Sequence, residues 1–216
     1  MAPREELAPE QRRLSARGAA TRLRIVAAAS DLMRAQGVGA TTMEQVASAS
    51  ATSKSQLYHH FPKKDALVHA VVDFRGHVVL DLHSEVLARA RSLRALERWS
   101  DLVVGRVATV HGAYGCQLGS IATEIADDDD HARELLQQYF HAWEGLLAGA
   151  LEAMIERDEI SRQADPDVLA QEIMIAMQGG YLLAQVERSE TPMRRALDMA
   201  LDRVRSFRND QDTSSQ

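Results

Sequence analysis

Between residues 42 and 64 the chain gathers side chains suited to reading a polyanion. Lys54, Ser55, Gln56, Tyr58 and His60 share one side of a short segment, and Leu57 and Phe61 point to the other. This is the chemistry of a helix lying in the major groove of DNA, with Lys54 donating to guanine O6 or N7 and Gln56 pairing with adenine. Tyr58 and His60, two residues apart, straddle one strand of the backbone. The chain's only lysines, Lys54, Lys63 and Lys64, all fall in this window, and positive charge is Arg everywhere else. Any one of these residues alone reads better as solvated surface. Their occurrence together points to nucleic acid.

Such side chains must be placed by a turn and two helices, and the flanking sequence predicts them. Ile25, Ala28, Ala29, Leu32 and Met33 follow the i, i+3, i+4, i+7, i+8 spacing of a helix with one buried face, ended by Gly37 and Gly39. Thr42 and Gln45 form a capping box for a second helix, whose inner stripe is Met43, Val46 and Ala47. Ser53 is the N-cap of the third, and Pro62 ends it. Thr42 and Lys64 sit at helix starts, where backbone N–H groups favour an anion.

From Lys63, the apolar positions Leu67, Val71, Phe74 and Val78 predict a long helix running to about Ser92. Helical periodicity continues near 93–111, 118–126, 131–158, 166–188 and 192–207, with Asp165-Pro166 and Thr191-Pro192 as helix starts. Gly112, Gly115 and Gly119 break helix five. No alternating strand pattern is present, so the fold class is all-α: a small three-helix N-terminal helix-turn-helix domain joined through a long fourth helix to a larger helical domain. The expected organisation is a flexible arm over 1–18, a DNA-binding domain over 19–65, a helical domain over 66–208 and a disordered tail over 209–216.

Thr41-Thr42, Val46-Ala47, Ser53, Leu57-Tyr58, His60-Phe61 and Lys64-Asp65-Ala66-Leu67 carry a pattern that resembles the N-terminal domain of the TetR family of bacterial transcriptional regulators, over about residues 19–72. The DNA-binding set on this reading is Thr42, Ser53, Lys54, Ser55, Gln56, Tyr58, His60 and Lys64. The resemblance implies a homodimer on a palindromic operator, by family usage a repressor, released when a small molecule enters the C-terminal domain. Two positions depart from the family pattern, which has Gly where Ala51 and Ser55 stand. Ala51 lies in the turn, where a side chain strains the backbone by ~1 kcal/mol. Ser55 adds a hydroxyl on the groove side. A weaker resemblance to a subgroup runs through Gly115-Cys116-Gln117-Leu118-Gly119-Ser120, Ala122, Glu124 and Gln178-Gly179-Gly180.

Charge is segregated in the same sense. Residues 11–64 hold nine basic and two acidic side chains, a net +7, whereas residues 76–216 hold 14 basic and 24 acidic, a net −10. A basic end on an acidic body docks to DNA while the body stays in solvent. A hydrophobic content of 45% with 26% charged residues belongs to a globular chain. The single Cys116 excludes an internal disulfide framework. Met-Ala-Pro-Arg-Glu-Glu lacks a signal peptide's apolar run and no stretch approaches the ~20 residues of a membrane span, so a cytoplasmic location and no membrane partner are expected.

In the acidic domain, Trp99, Val103, Val107, Tyr114, Cys116, Phe140, Trp143, Met174, Met177 and Tyr181 are candidate walls of an effector cavity, the alternative for each being ordinary core. No buried Arg or Lys stands out as an anion receptor, which favours a hydrophobic or aromatic effector. Gly179, Gly180, Met193, Ala196, Leu197, Ala200, Leu201 and Val204 are candidates for a dimeric four-helix bundle, against intramolecular packing. Asp127 to Asp130 with His131 invites a metal reading, but carboxylates at a helix start complement its dipole, and the histidines lack zinc-site spacing; no metal or cofactor is expected. No Gly-x-Ser-x-Gly, His-Glu-x-x-His or Walker loop occurs, so an enzyme is not expected. The remaining rival is a DNA-binding regulator controlled by a protein partner rather than a small molecule.

Overall fold

The first helical turns are set by side chains that accept from otherwise orphaned backbone donors. In a computed structural model that describes residues 16–209, α1 (Ala16–Ala40) is interrupted at Gly37, whose φ is 86°. Thr42 and Gln45 close a capping box on α2 (Met43–Ala49), and Ser53 and Gln56 close another on α3 (Lys54–His60). The long α4 (Lys64–Ala88) follows, then α5 (Leu93–Thr109), capped by Ser92. The chain continues through α6 (Gln117–Ile125), α7 (Asp130–Glu156), α8 (Pro166–Glu187) and α9 (Thr191–Arg205). Among the described residues the one β-type pairing is an isolated bridge between Ile160 and Arg208.

The expected helices are present, with shifted ends. Of the arm expected over 1–18, residues 1–15 lie outside the described residues and 16–18 are already helical. Of the tail expected over 209–216, residues 210–216 lie outside them, while Asn209 is held by bonds to the carbonyls of Glu159 (3.3 Å) and Asp158 (2.9 Å). Helix four ends at Ala88 rather than Ser92. Gly119 does not break a helix: it lies inside α6, where a Cβ would come within 2.9 Å of Gln178 Oε1. Gly112 does occupy the loop after α5, at φ 70°, and a Cβ there would stand 2.1 Å from the Ala184 carbonyl of α8. That loop therefore rides directly on α8.

A charged side chain joins the small domain to the large one. Arg75 of α4 is 1% exposed, and its guanidinium donates to Ser30 Oγ (3.1 Å) and the Ser30 carbonyl (2.8 Å) on α1, and to the Gln117 carbonyl (3.1 Å) at the start of α6. Burial, then the neighbouring Arg34, lowers its pKa to about 10, still charged at neutral pH. Around it, α4 packs on α1, α6 and α7.

The stripe assigned to a dimer interface is instead occupied within the chain. Met193, Leu197, Ala200, Leu201 and Val204 are buried and Ala196 half-buried, because α9 packs its apolar face on α8 and α5. Arg205 to Glu97 (2.8 Å) and an Arg194–Asp101 pair tie α9 to α5. Gly180 serves this intramolecular contact, since a Cβ there would meet Met193 and Ala196 at 3.0–3.1 Å. Of the eight residues only Gly179 faces open space. Among the apolar side chains left exposed, Ile175, Leu182, Leu183 and Val186 lie on another face of α8 and Met199 on α9.

Ala51 carries φ 49° in the α2–α3 turn, the left-handed region that an L side chain resists. Ala51→Gly is expected to raise the unfolding free energy by about 0.5–1 kcal/mol, relief of strain exceeding the entropy that glycine adds to the unfolded chain. Urea denaturation with a shared m-value is the measurement; a lower midpoint for the glycine variant would contradict it.

Candidate functional site

The inner face of α3 anchors it: Leu57 and Phe61 are buried, and Arg22 of α1 lies 5.0 Å from the centre of the Phe61 ring. Arg24 Nε donates to the Ser50 carbonyl (2.9 Å), locking α1 to the end of α2. The outer face presents Lys54, Ser55, Gln56 and Tyr58 to solvent, with Thr42 and Ser53 exposed at their caps and His60 and Lys64 half-buried. The expected DNA-binding residues therefore share one end of the molecule.

Several of them are engaged. Lys54 Nζ donates to Glu44 Oε1 on α2 (2.9 Å) and lies 5.8 Å from the Tyr58 ring centre. The hydrogen bond and charge of each raise the Lys54 pKa and lower that of Glu44. Gln56 accepts from the Ser53 N–H through Oε1 (3.0 Å), so two-point pairing with adenine requires this cap to open. Thr42 N–H is likewise occupied by Gln45 Oε1 (2.9 Å), and Lys64 Nζ donates to the Gly39 carbonyl (3.1 Å). Burial, then His59 and Arg22, lowers the His60 pKa, so at neutral pH the ring is uncharged.

The larger domain contains two neighbouring cavities that share Gly115, Cys116 and Tyr181. One, of about 640 Å³, is bounded by α6 and α8 and is lined by Ser120, Glu124, Phe140, Gln178 and Leu182 among others. The second, of about 250 Å³, is lined by Val79, His83, Arg106, Val107, Tyr114 and Trp143 among others. Of the ten expected wall residues, Val107, Tyr114, Cys116, Phe140, Trp143 and Tyr181 border one or both. Trp99, Val103, Met174 and Met177 border neither and are buried core. Burial raises the Cys116 thiol pKa, the opposite of what activates a reactive thiol.

Sequence reasoning missed His83, Arg106 and Glu124 as site residues. His83 Nδ1 accepts from Trp99 Nε1 (3.0 Å), and its ring stacks on Trp143 with centroids 4.6 Å apart. Burial, then nearby Arg106, pushes its pKa down to about 4. Glu124 lines the larger cavity and reaches out of the domain, its Oε2 accepting from the backbone N–H of Val38 (2.6 Å) in the last turn of α1, just after Gly37. A charged residue beside the apolar Val103–Val107 stripe was the only signal for Arg106, and periodicity carried none for the other two. Asp129, in the acidic run, caps α7 through Ala132 N–H (2.9 Å) and pairs with His69 (2.7 Å). Among the described residues no cluster could hold a metal ion.

A capped helix pair with an exposed cationic outer face, attached to a cavity-bearing helical body, defines a helix-turn-helix DNA-binding protein. A family model described as bacterial regulatory proteins, tetR family, matches residues 25–71, and a second, described as tetracyclin repressor-like, C-terminal domain, matches 87–200, more than half of the chain. The chain belongs to the TetR family of transcriptional regulators. It is 25% identical over 175 residues to the uncharacterized regulator YxaF of Bacillus subtilis, covering 80% of this chain and 89% of that one. It is 22% identical to the transcriptional repressor DhaR of Mycobacterium sp. strain GP1, covering 77% and 83%. Among solved folds, a TetR-family regulator from Cytophaga hutchinsonii matches with TM-score 0.80 at 15% identity over 91% and 99% of the chains. The reduced form of E. coli NemR matches with 0.77 at 19% over 88% and 98%.

Tyr58→Ala is expected to weaken binding to operator and random duplex alike, by roughly tenfold at fixed salt. Gln56→Ala is expected to weaken both as well, since it uncaps α3. Fluorescence anisotropy on both duplexes checks this; unchanged affinity in both variants would sink the interface.

Stability should also report His83. An unfolded histidine titrates near 6.5, so between about pH 6.5 and 4 the unfolded chain takes up a proton that the fold refuses. Stability is thus lost as pH falls through that window, on the order of 3 kcal/mol across it. His83→Phe should flatten that part of the curve in chemical denaturation at stepped pH, and equal slopes for both proteins would refute it.

Proposed function

We propose that the chain is a ligand-responsive homodimeric repressor that binds a palindromic operator and leaves it when a small hydrophobic or aromatic effector enters the C-terminal domain. The observation that carries this reading is Glu124, one carboxylate that borders the larger cavity and also accepts from Val38 N–H in the DNA-binding domain. An effector that displaces α6 pulls on that bond, and through it on the segment that leads into α2. Lys54, Ser55 and Tyr58 read the groove, while Thr42, Ser53, Gln56, His60 and Lys64 hold register at the helix starts and the phosphates. The functional units are 19–65 and 66–208, with α4 crossing between them. Repression is supported by the name of the relative DhaR, a transcriptional repressor.

For the dimer, the exposed α8 stripe of Ile175, Gly179, Leu182, Leu183 and Val186 with Met199 replaces the buried α9 stripe as the contact face. A contiguous apolar face of this kind is uncommon on a free monomer surface. A second copy meeting it by two-fold symmetry presents two recognition helices to a two-fold symmetric site. A regulator of this kind works where the chromosome is, in the bacterial cytoplasm.

Selection of bound sequences from random duplexes is expected to return inverted repeats with half-site centres about one helical turn, or a multiple of it, apart. Recovery of single unpaired half-sites would overturn the dimeric reading. Glu124→Ala should change operator affinity severalfold although it lies far in sequence from α3; an affinity equal to the parent's would remove the coupling argument.

A further inference from the structure

The smaller cavity has a chemical character that its surroundings do not share. It lies in the acidic part of the chain, yet no Asp or Glu lines it and two guanidiniums, Arg34 and Arg106, do. Arg34 is held by Asp31 (3.3 Å) and lies 5.1 Å from the Tyr114 ring centre. The Arg106 guanidinium has no hydrogen-bond, ion-pair or ring partner among the described residues.

His83, Tyr181 and Trp143 add donors to the same wall. Trp99 Nε1–H donates to Nδ1 of His83, which puts the single proton of the neutral imidazole on Nε2. Among the described residues nothing accepts that proton, and nothing accepts from the Tyr181 hydroxyl. The Trp143 indole N–H is buried and also without a partner. Donors that no protein group satisfies around a partly open cavity are left to water until an occupant brings acceptors, and several of them converging on one space favour an occupant that does. With the wall positive and free of carboxylates, an anionic acceptor is favoured over a neutral one.

Size and shape narrow the class. An apolar cavity of about 150 Å³ takes up benzene, so 250 Å³ admits one aromatic ring with a short acidic arm. Val79, Leu82 and Trp143 supply the apolar and aromatic surface for the ring. We propose that this cavity binds a small aromatic carboxylate, the ring against Trp143 and the carboxylate between Arg106, the Tyr181 hydroxyl and His83 Nε2–H. The assignment rests on the effector-binding reading of the C-terminal domain and gives that effector an anionic head. Arg106 is thereby a specificity-determining residue: it selects acid over amide or amine.

The test uses the full chain and its own fluorescence, because both of its tryptophans, Trp99 and Trp143, adjoin His83. Titration with benzoate, phenylacetate and 1-naphthoate is expected to give a saturable change for at least one acid. Benzamide should bind at least tenfold more weakly and benzylamine not at all. Arg106→Met, at an exposed position and with fold checked by circular dichroism, should weaken the acids at least tenfold and leave benzamide unchanged. Tyr181→Phe should weaken the acids severalfold. The proposal is overturned if amide or amine binds as tightly as acid, if Arg106→Met leaves acid binding intact, or if no acid binds at millimolar concentration. Adding the same acids to a preformed protein–DNA complex separates the two readings. Binding without release of DNA refutes ligand control and leaves the cavity assignment standing. Release that does not depend on Arg106 refutes the assignment and leaves ligand control standing.

Discussion

A guanidinium kept almost entirely from water sets the geometry of this protein. Arg75 makes no ion-pair contact, with Glu124 and Asp31 acting on it only through space; its hydrogen bonds run to a hydroxyl and a carbonyl on α1 and to a carbonyl at the start of α6. A buried charge is tolerated only while such bonds are kept, so each helix that supplies an acceptor is held in place by the cost of withdrawing it. α1 belongs to the DNA-binding domain, α4 bears the arginine, and α6 borders the larger cavity. The two parts of the chain thus meet through a polar joint with few acceptable arrangements, unlike an oily contact that could slide.

The short α6 is held at both ends by bonds that leave its own domain contacts. At its start the Gln117 carbonyl faces Arg75, and near its end Glu124 faces Val38 N–H. Between them, Gly119, Ser120 and Thr123 border the larger cavity. Cys116, the N-cap of α6, stands at the wall common to both cavities with Tyr181. Occupancy of either cavity is therefore felt first by α6, the element with the fewest residues and the most consequential bonds in the larger domain.

How much of this was legible in the sequence depends on whether the signal was local. The Thr42–Gln45 capping box, the Ser53 N-cap, the two Pro starts and the strained Ala51 follow from side chains within a few residues of the backbone they govern. The α9 stripe was equally plain, but periodicity says that a face is buried and not what buries it. Here α8 and α5 of the same chain cover it, leaving Ile175, Leu182 and Val186 as the open face. Gln56 is ambiguous for a related reason, because a residue at the third helical position can serve the cap or a distant base and its type does not say which. The roles of His83 and Glu124 left no local signal, since their partners stand 16 and 86 residues away. Only the fold brings those distances to about 3 Å.

The Lys54–Glu44 pair gives the free protein an internal stand-in for DNA. In the proposed complex, Lys54 exchanges this carboxylate for a nucleic-acid acceptor instead of arriving unattached. The pair is exposed and screened by solvent, so giving it up costs little. Glu44 thus acts as a tare on the recognition helix: it subtracts the same small amount from every site and leaves the preference among sites unchanged.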